Sequence, residues 1–173
     1  MRRLSPDILI PAVKIRARVQ ELAEEISRDT PEDGEIAVLI VLKGAFVFGA
    51  DLVRAIPRRT RIGFLETHKD PHKRGMADFI FTHPFPIEGA DLLVIEDILD
   101  SGWTMDHMFA RLRSRRPKRL RSVVLLDKKP RREVEVPIDY VGFEIPDVWV
   151  VGYGLDDGEA FRNLPDVRFT VEG

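Results

Sequence analysis

The sequence predicts an α/β domain with a mainly parallel sheet flanked by helices. Short, uninterrupted apolar runs recur along the chain, as expected of strands that are buried on both faces. Amphipathic stretches with a helical period lie between these runs, and such alternation is typical of parallel strands joined by right-handed crossovers. The 173 residues contain no internal repeat and no linker rich in Gly or Ser, so we expect a single domain over residues 1–173.

The first half of the chain shows the alternation clearly. Residues 11–27 carry apolar side chains at every third or fourth position with charged ones between them, which predicts a helix. A break rich in Pro, Asp and Gly at residues 30–34 precedes a continuous apolar run at residues 36–42, which predicts a buried strand. Lys43 and Gly44 end that strand, and a helical pattern resumes at residues 45–56.

The middle of the chain is less regular. Residues 61–65 and 78–81 predict two short strands, whereas residues 67–74 are polar, charged and broken by proline, which predicts a loop. His68 and His72 stand four positions apart in this stretch, a spacing that can bind zinc on a helix. The proline between them argues against a regular helix, so we do not expect a zinc pair.

The second half continues the strand and helix alternation. Strands are predicted at residues 91–95, 121–126, 140–143 and 149–152, with a turn and helix over residues 101–115. Residues 111–121 hold seven basic side chains, for which a helix C-terminus followed by a solvated loop is the simplest interpretation. A nucleic-acid or subunit contact is the alternative for this stretch.

Composition limits the function classes. The chain is 44% hydrophobic and 32% charged with a net charge of −2, so no overall basic field favours nucleic acid or a membrane surface. Cysteine is absent, which removes disulfides and thiolate metal sites and fits a reducing compartment. No apolar run approaches the roughly 18–20 residues of a spanning helix. We therefore expect a cytoplasmic protein without membrane contact.

The most informative segment begins at the end of the predicted strand 91–95. Glu96 and Asp97 lie at its carboxyl end, the edge where open α/β sheets bind ligands. A turn containing Gly102 then begins a helix, whose free N–H groups, with the hydroxyls of Ser101 and Thr104, suit a phosphate. Carboxylates suit ribose hydroxyls or a cation. The turn alone would predict only a helix cap, but the preceding carboxylates favour a ligand site.

The run 96–105 resembles the phosphoribosyl pyrophosphate motif of type I phosphoribosyltransferases, and most closely that of the hypoxanthine-guanine branch. Further segments agree with the family in order and spacing, namely residues 41–45, 126–128, 140–147, 149–156 and 161–165. The resemblance covers most of the chain from about Val41 onward. It implies a parallel-sheet core flanked by helices, with a small hood built from the terminal segments over the base.

The resemblance implies ribose- and phosphate-binding roles for six residues of the segment 96–105. Glu96 and Asp97 would hold the ribose hydroxyls and are candidate Mg²⁺ ligands. The 5′-phosphate would be bound by Ser101, Gly102, Trp103 and Thr104. Trp103 stands at a position of the phosphate loop that varies among relatives.

The base would be recognised by residues from three segments. Asp100 would accept the N7 proton, or hydrogen-bond there, as a general base. Lys128 would donate to the exocyclic O6, which selects oxo over amino purines because an ammonium offers only donors. Trp149 would stack on the purine and the Val150 backbone would read its edge. Taken singly, Lys128 would belong to a solvated basic turn and Trp149 to the core.

The resemblance assigns four residues to the pyrophosphate side of the site. Lys43 and Gly44 would present their peptide, which is often cis in the family, to pyrophosphate. Asp156 would bind Mg²⁺, and Arg162 would meet the leaving group as a planar fork. The implied reaction joins hypoxanthine or guanine, with xanthine a further candidate, to phosphoribosyl pyrophosphate through an oxocarbenium-like transition state. Relatives are commonly homodimers or homotetramers.

One departure from the family concerns its flexible second loop. The family usually carries a Ser-Tyr pair there, and residues 66–75 contain none. This difference and the basic stretch 111–121 leave an alternative function open, a ligand-sensing or RNA-binding regulator on the same fold with little turnover. The presence of Asp100, Lys128 and Arg162 together argues against it. A transferase for another base is disfavoured by the match in the purine segment.

Overall fold

The computed structural model describes residues 2–69 and 77–172. The first half consists of β1 (Arg2–Ile10), α1 (Ala12–Arg28), β2 (Glu35–Leu42), α2 (Phe46–Ala55), β3 (Arg59–Lys69) and β4 (Ala77–Phe81). The second half consists of β5 (Asp91–Leu99), α3 (Trp103–Arg113), β6 (Arg119–Asp127), a 3-10 turn (Lys129–Arg131), β7 (Tyr140–Glu144), β8 (Trp149–Val151) and β9 (Val167–Glu172).

The larger sheet has six strands in the order β4-β3-β2-β5-β6-β7. All neighbours are parallel except β4, which pairs antiparallel with β3 at the edge. The predicted mainly parallel sheet is confirmed. Strands β2, β5 and β6 are buried along most of their length, which accounts for their continuous apolar runs.

The chain order of the strands creates a switch point between β2 and β5. From β2 the chain proceeds to β3 on one side, whereas from β5 it proceeds to β6 and β7 on the other side. The loops that leave the carboxyl ends of β2 and β5 therefore diverge. A crevice opens between diverging loops of this kind, and ligands bind there in open α/β sheets.

The terminal segments form the second sheet, which confirms the predicted hood. Its order is β1-β9-β8 and its pairs are antiparallel. Helices α1 and α2 and several hood residues, among them Val150 and Val167, share one apolar cluster with one face of the larger sheet. Helix α3 packs with Met105, Met108, Phe109 and Leu112 against the other face.

The predicted loop at residues 67–74 is wrong for its first three residues. Strand β3 continues through Lys69, whose backbone pairs with Ala77 of β4. Pairing with a neighbouring strand overrides the weak strand propensity of this polar sequence. Residues 70–74, and with them His72 of the histidine pair, lie outside the described residues.

The basic stretch 111–121 is only partly solvated. The Arg111 guanidinium lies 5.9 Å from the Phe79 ring centroid, and that of Arg115 lies 4.4 Å from Phe81. Arg121 is buried and contacts Asp91 at 3.1 Å, so a solvated loop is wrong for this residue. The reason is that Asp91, on the neighbouring strand β5, supplies the opposite charge that a buried guanidinium requires.

None of the helices in the described part of the chain is long and apolar enough to cross a membrane.

Candidate active site

A cleft of about 630 Å³ lies at the carboxyl ends of the parallel strands. Its lining comes from the ends of β2, β3, β5 and β6, from β8 and from the segment that follows β8. The lining includes thirteen of the residues predicted from sequence, which are Lys43, Gly44, Glu96, Asp97, Asp100, Ser101, Gly102, Thr104, Lys128, Trp149, Val150, Asp156 and Arg162. The fold therefore brings predicted residues from four stretches of the sequence, 43–44, 96–104, 128 and 149–162, into one site.

Trp103 is the predicted site residue that does not line the cleft. It is the first residue of α3, and its indole Nε1 donates a hydrogen bond to Glu133 Oε2 at 3.1 Å. The side chain is 40% exposed. Only the Trp103 backbone remains a candidate for binding a ligand at the helix N-terminus.

The loop before α3 is held from behind by residues 129–134, which we call the strap. The backbone N–H groups of Glu133 and Val134 both donate to Ser101 O, at 2.9 and 3.0 Å. Gly102 has φ +94°, and a Cβ there would lie 2.4 Å from Val134 O. Only glycine fits this conformation and this close approach. The strap thus fixes the loop, and the N-terminus of α3 is favourable for an anion.

Gly44 packs directly against one of the two carboxylates. A Cβ at Gly44 would lie 1.6 Å from Asp97 Oδ2, so no side chain can be accommodated. Asp97 Oδ1 accepts a hydrogen bond of 2.8 Å from the Ile98 N–H, which orients the carboxylate. The loop after β2 and the end of β5 therefore form one continuous wall of the cleft.

The cis peptide in the first loop is Leu42–Lys43, not the expected Lys43–Gly44 bond. Non-proline cis bonds are rare and leave no local signature, so sequence could not distinguish between neighbouring bonds.

The burial of Lys128 and of Trp149 is the opposite of what each residue predicts when taken alone. Lys128 is 6% exposed, and its Nζ lies 3.8 Å from Asp147 Oδ1. Its N–H donates to Leu99 O, so the residue is fixed at the end of β6 rather than solvated. Trp149 is 47% exposed and lines the cleft instead of filling the core. A buried ammonium beside an exposed aromatic face suits a planar, polar ligand.

Two arginines of the strap contact Asp100, and sequence reasoning missed both. Arg131 Nε lies 3.3 Å from Asp100 Oδ1. Arg132 Nε donates to the Asp100 carbonyl at 3.1 Å, while its Nη2 forms an ion pair with Asp127. Their place in a basic cluster predicted solvated side chains, and only the tertiary structure brings Asp100 to them. The Arg132–Asp127 pair joins the ends of β5 and β6.

We predict that Arg132→Met lowers the free energy of unfolding by about 3 kcal/mol, because it leaves the Asp127 carboxylate unpaired and largely buried. Chemical denaturation of both proteins measures the difference. Lys129→Met is the matched control, since the Lys129–Glu144 pair is exposed and should contribute far less to stability. Equal effects of the two substitutions would contradict the prediction.

The opposite end of the cleft holds a network of charges. Arg162 Nη2 lies 2.9 Å from Asp156 Oδ1, and Arg162 Nη1 donates to Gly154 O at 2.8 Å. Glu159, which the sequence did not single out, also lines the cleft and contacts both Lys43 and Arg162. Hydrogen bonds from Lys43 and Arg162 hold the pKa of the Glu159 carboxyl below its usual value.

Residues 2–69 and 77–172 contain no group of three or more acidic, His or Cys side chains placed to enclose a metal. Mg²⁺ commonly needs only one or two carboxylates, because water and substrate phosphates supply its other ligands. Glu96, Asp97 and Asp156 line the same cleft and offer carboxylate oxygens of the required kind. The donor set therefore fits Mg²⁺ carried in with a phosphorylated ligand.

Comparisons with known proteins agree with this geometry. The family profile "Phosphoribosyl transferase domain" matches residues 10–158. The chain is 43% identical over 163 residues to the hypoxanthine-guanine phosphoribosyltransferase of Aquifex aeolicus, with 92% of each chain covered. It is 38% identical over 165 residues to the hypoxanthine phosphoribosyltransferase of Escherichia coli, again with 92% of each covered.

A solved structure is similar over the whole fold. The crystal structure of a hypoxanthine-guanine phosphoribosyltransferase from Bacillus anthracis, with a HEPES molecule in its active site, has a TM-score of 0.93 at 39% identity. The match covers 98% of this chain and 100% of that one. The chain therefore belongs to the type I phosphoribosyltransferase family, in its hypoxanthine-guanine branch.

Proposed function

We propose that the protein joins hypoxanthine or guanine, or xanthine, to phosphoribosyl pyrophosphate, giving the nucleoside 5′-monophosphate and pyrophosphate. The observation that carries this function is the convergence, in one cleft, of four stretches of the sequence that resemble the family. The relatives named for this activity match the chain almost from end to end. They give no support to a regulator without turnover, and Arg111 and Arg115 of the basic stretch are engaged with aromatic rings.

The nucleotide end of the substrate is assigned to the loop before α3. The hydroxyls of Ser101 and Thr104, the N–H of Gly102 and the first N–H groups of α3, including that of Trp103, bind the 5′-phosphate. Glu96 and Asp97 accept hydrogen bonds from the ribose hydroxyls. Because the strap holds the loop before α3 from behind and Gly44 packs against Asp97 in the cleft wall, the ribose is bound in one orientation.

The base is assigned to the space between Lys128 and Trp149. The Lys128 ammonium donates to O6, Trp149 stacks on the ring, and the Val150 backbone contacts the ring edge. Asp100 accepts the N7 proton as C1 of the ribose is attacked. Burial of Lys128 strengthens its hydrogen bond, because few waters compete for the ammonium there.

The pyrophosphate is assigned to the peptide of Lys43 and Gly44 and to Arg162. The guanidinium stabilises the charge that develops on the leaving group as the bond to C1 breaks. When bound, Mg²⁺ would neutralise further negative charge of the leaving group, and Asp156, with Glu96 and Asp97, would hold it.

The test is a steady-state assay with hypoxanthine, guanine, xanthine and adenine, each with phosphoribosyl pyrophosphate and Mg²⁺. We expect nucleotide product from at least one 6-oxopurine, with kcat/KM at least about 10²-fold higher than for adenine, because an ammonium cannot pair with an amino group. Lys128→Gln should lower the ratio of kcat/KM for the 6-oxopurine to kcat/KM for adenine, since the glutamine amide can both donate and accept a hydrogen bond. Absence of product from every 6-oxopurine would exclude the proposed function.

Domain organisation, oligomeric state, partners and location are part of the same proposal. We infer a single domain over residues 1–173, since hood and core residues share one apolar cluster. A homodimer or homotetramer without nucleic-acid or membrane partners, and a cytoplasmic location, stay predictions. Light scattering on the purified protein tests the oligomeric state.

A further inference from the structure

We propose that Glu159 is an internal competitor of pyrophosphate, which holds Lys43 and Arg162 in the free protein and is displaced when the substrate binds. This inference rests on the proposed function and concerns the pyrophosphate end of the same cleft. Glu159 is thereby a positioning residue that sets the affinity for pyrophosphate, without taking part in the bond changes.

The contacts of Glu159 are those of a bridging anion. Its Oε2 lies 3.2 Å from Lys43 Nζ, and its Oε1 lies 3.3 Å from Arg162 Nη2. Each carboxylate oxygen thus meets a different cation. All three residues line the cleft, so the negative charge occupies the region to which the leaving group is assigned.

The backbone holds Glu159 in this place. Its N–H donates to Asp156 Oδ2 at 2.8 Å, and Asp157 and Ala160 close the turn through reciprocal backbone bonds of 3.2 Å. Glu159 has φ +70°, a conformation that residues with a side chain rarely adopt. A hydrogen-bonded turn therefore presents the carboxylate to the cations.

The ion pairs of Glu159 are weak enough for its carboxylate to be displaced by the substrate. The side chains of Lys43 and Glu159 are 64% and 65% exposed, and exposed ion pairs are individually weak. Pyrophosphate carries more charge and more acceptor oxygens, so it displaces a single carboxylate. Arg162 keeps its hydrogen bond to Gly154 O and its contact with Asp156 when Glu159 moves, and so stays in position.

A purely structural role makes the opposite prediction. If Glu159 served to hold Lys43 in its binding position, loss of the carboxylate would weaken pyrophosphate binding. If Glu159 competes for the cations, loss of its charge must strengthen binding. The sign of the effect therefore separates the two roles.

The experiment is titration calorimetry of Glu159→Gln with inorganic pyrophosphate in the presence of Mg²⁺. We expect Kd to fall about three- to tenfold, as loss of two exposed ion pairs implies. KM for phosphoribosyl pyrophosphate should fall by a similar factor and product inhibition by pyrophosphate should tighten, while kcat does not rise. Glu159→Asp, which keeps the charge, should bind more weakly than Glu159→Gln.

Glu144→Gln is the matched control, because Glu144 is an exposed glutamate paired with Lys129 outside the cleft. Its Kd should equal that of the unaltered protein. An unchanged or higher Kd in Glu159→Gln, or no measurable pyrophosphate binding by any of the proteins, would overturn the inference. The assay with 6-oxopurines decides the proposed function separately, since turnover does not depend on the sign of this change.

Discussion

Replacing Arg162 by glutamine is expected to lower kcat/KM for phosphoribosyl pyrophosphate by about 10²- to 10³-fold, the usual cost of removing one group that stabilises developing charge. The guanidinium is held in place by Gly154 O and Asp156, so its orientation is set before the substrate arrives. Glutamine keeps some hydrogen bonding but loses both the charge and the fork geometry. Most of the loss should appear in kcat, because the leaving charge is largest in the transition state.

Two further variants make this measurement decisive. Arg162→Lys restores the charge without the fork and should recover part of the lost rate. Arg54→Gln removes an exposed arginine of α2 that pairs with Asp51 outside the cleft, and it should leave kcat/KM within about twofold, as is usual of surface substitutions. An Arg162→Gln enzyme with unaltered kcat/KM would show that this guanidinium does not meet the leaving group.

The core of the fold was readable from sequence because strands buried on both faces leave continuous apolar runs. Such runs at residues 36–42, 91–95 and 121–126 correspond to β2, β5 and β6. The hood strands β1 and β9 were not predicted as strands. They pair with each other across almost the whole chain, and their register is interrupted between Leu4 and Ile8, so no local pattern marks them.

Most of the site was predictable because its motifs follow strand ends, which a parallel sheet brings to one edge. The order of the motifs carried this information better than any single residue did. Taken singly, Lys128 indicated a solvated turn and Trp149 a core position. In the structure Lys128 is buried and Trp149 is exposed. A buried lysine becomes favourable only where the fold supplies an acceptor such as Asp147.

The residues that sequence reasoning missed act through contacts distant in sequence. Glu159 meets Lys43 across 116 positions, and its own surroundings indicate only an ordinary turn. Arg132 reaches back 32 positions to the Asp100 carbonyl. Neither contact has a local signature, because each depends on how the strap and the segment after β8 fold over the sheet edge.

Asp100→Asn is expected to lower kcat by about 10²-fold or more, within the range that a general base contributes. Asparagine has the same shape, and its amide oxygen can still accept the contact from Arg131, so the loop should keep its geometry. The asparagine amide, however, cannot take the N7 proton from the purine. Because the amide leaves the phosphate, ribose and pyrophosphate contacts in place, KM for phosphoribosyl pyrophosphate should change little.

Rapid-quench measurement of a single turnover separates this chemical step from product release, and the loss should appear in the single-turnover rate. Asp106→Asn makes the same change on an exposed carboxylate in the first turn of α3, outside the cleft lining, and should have no effect on that rate. If Asp100→Asn matched the unaltered enzyme in a single turnover, the proton would have to leave N7 by another route. Water would then be the acceptor, and the contacts of Arg131 and Arg132 with Asp100 would serve only to hold the loop.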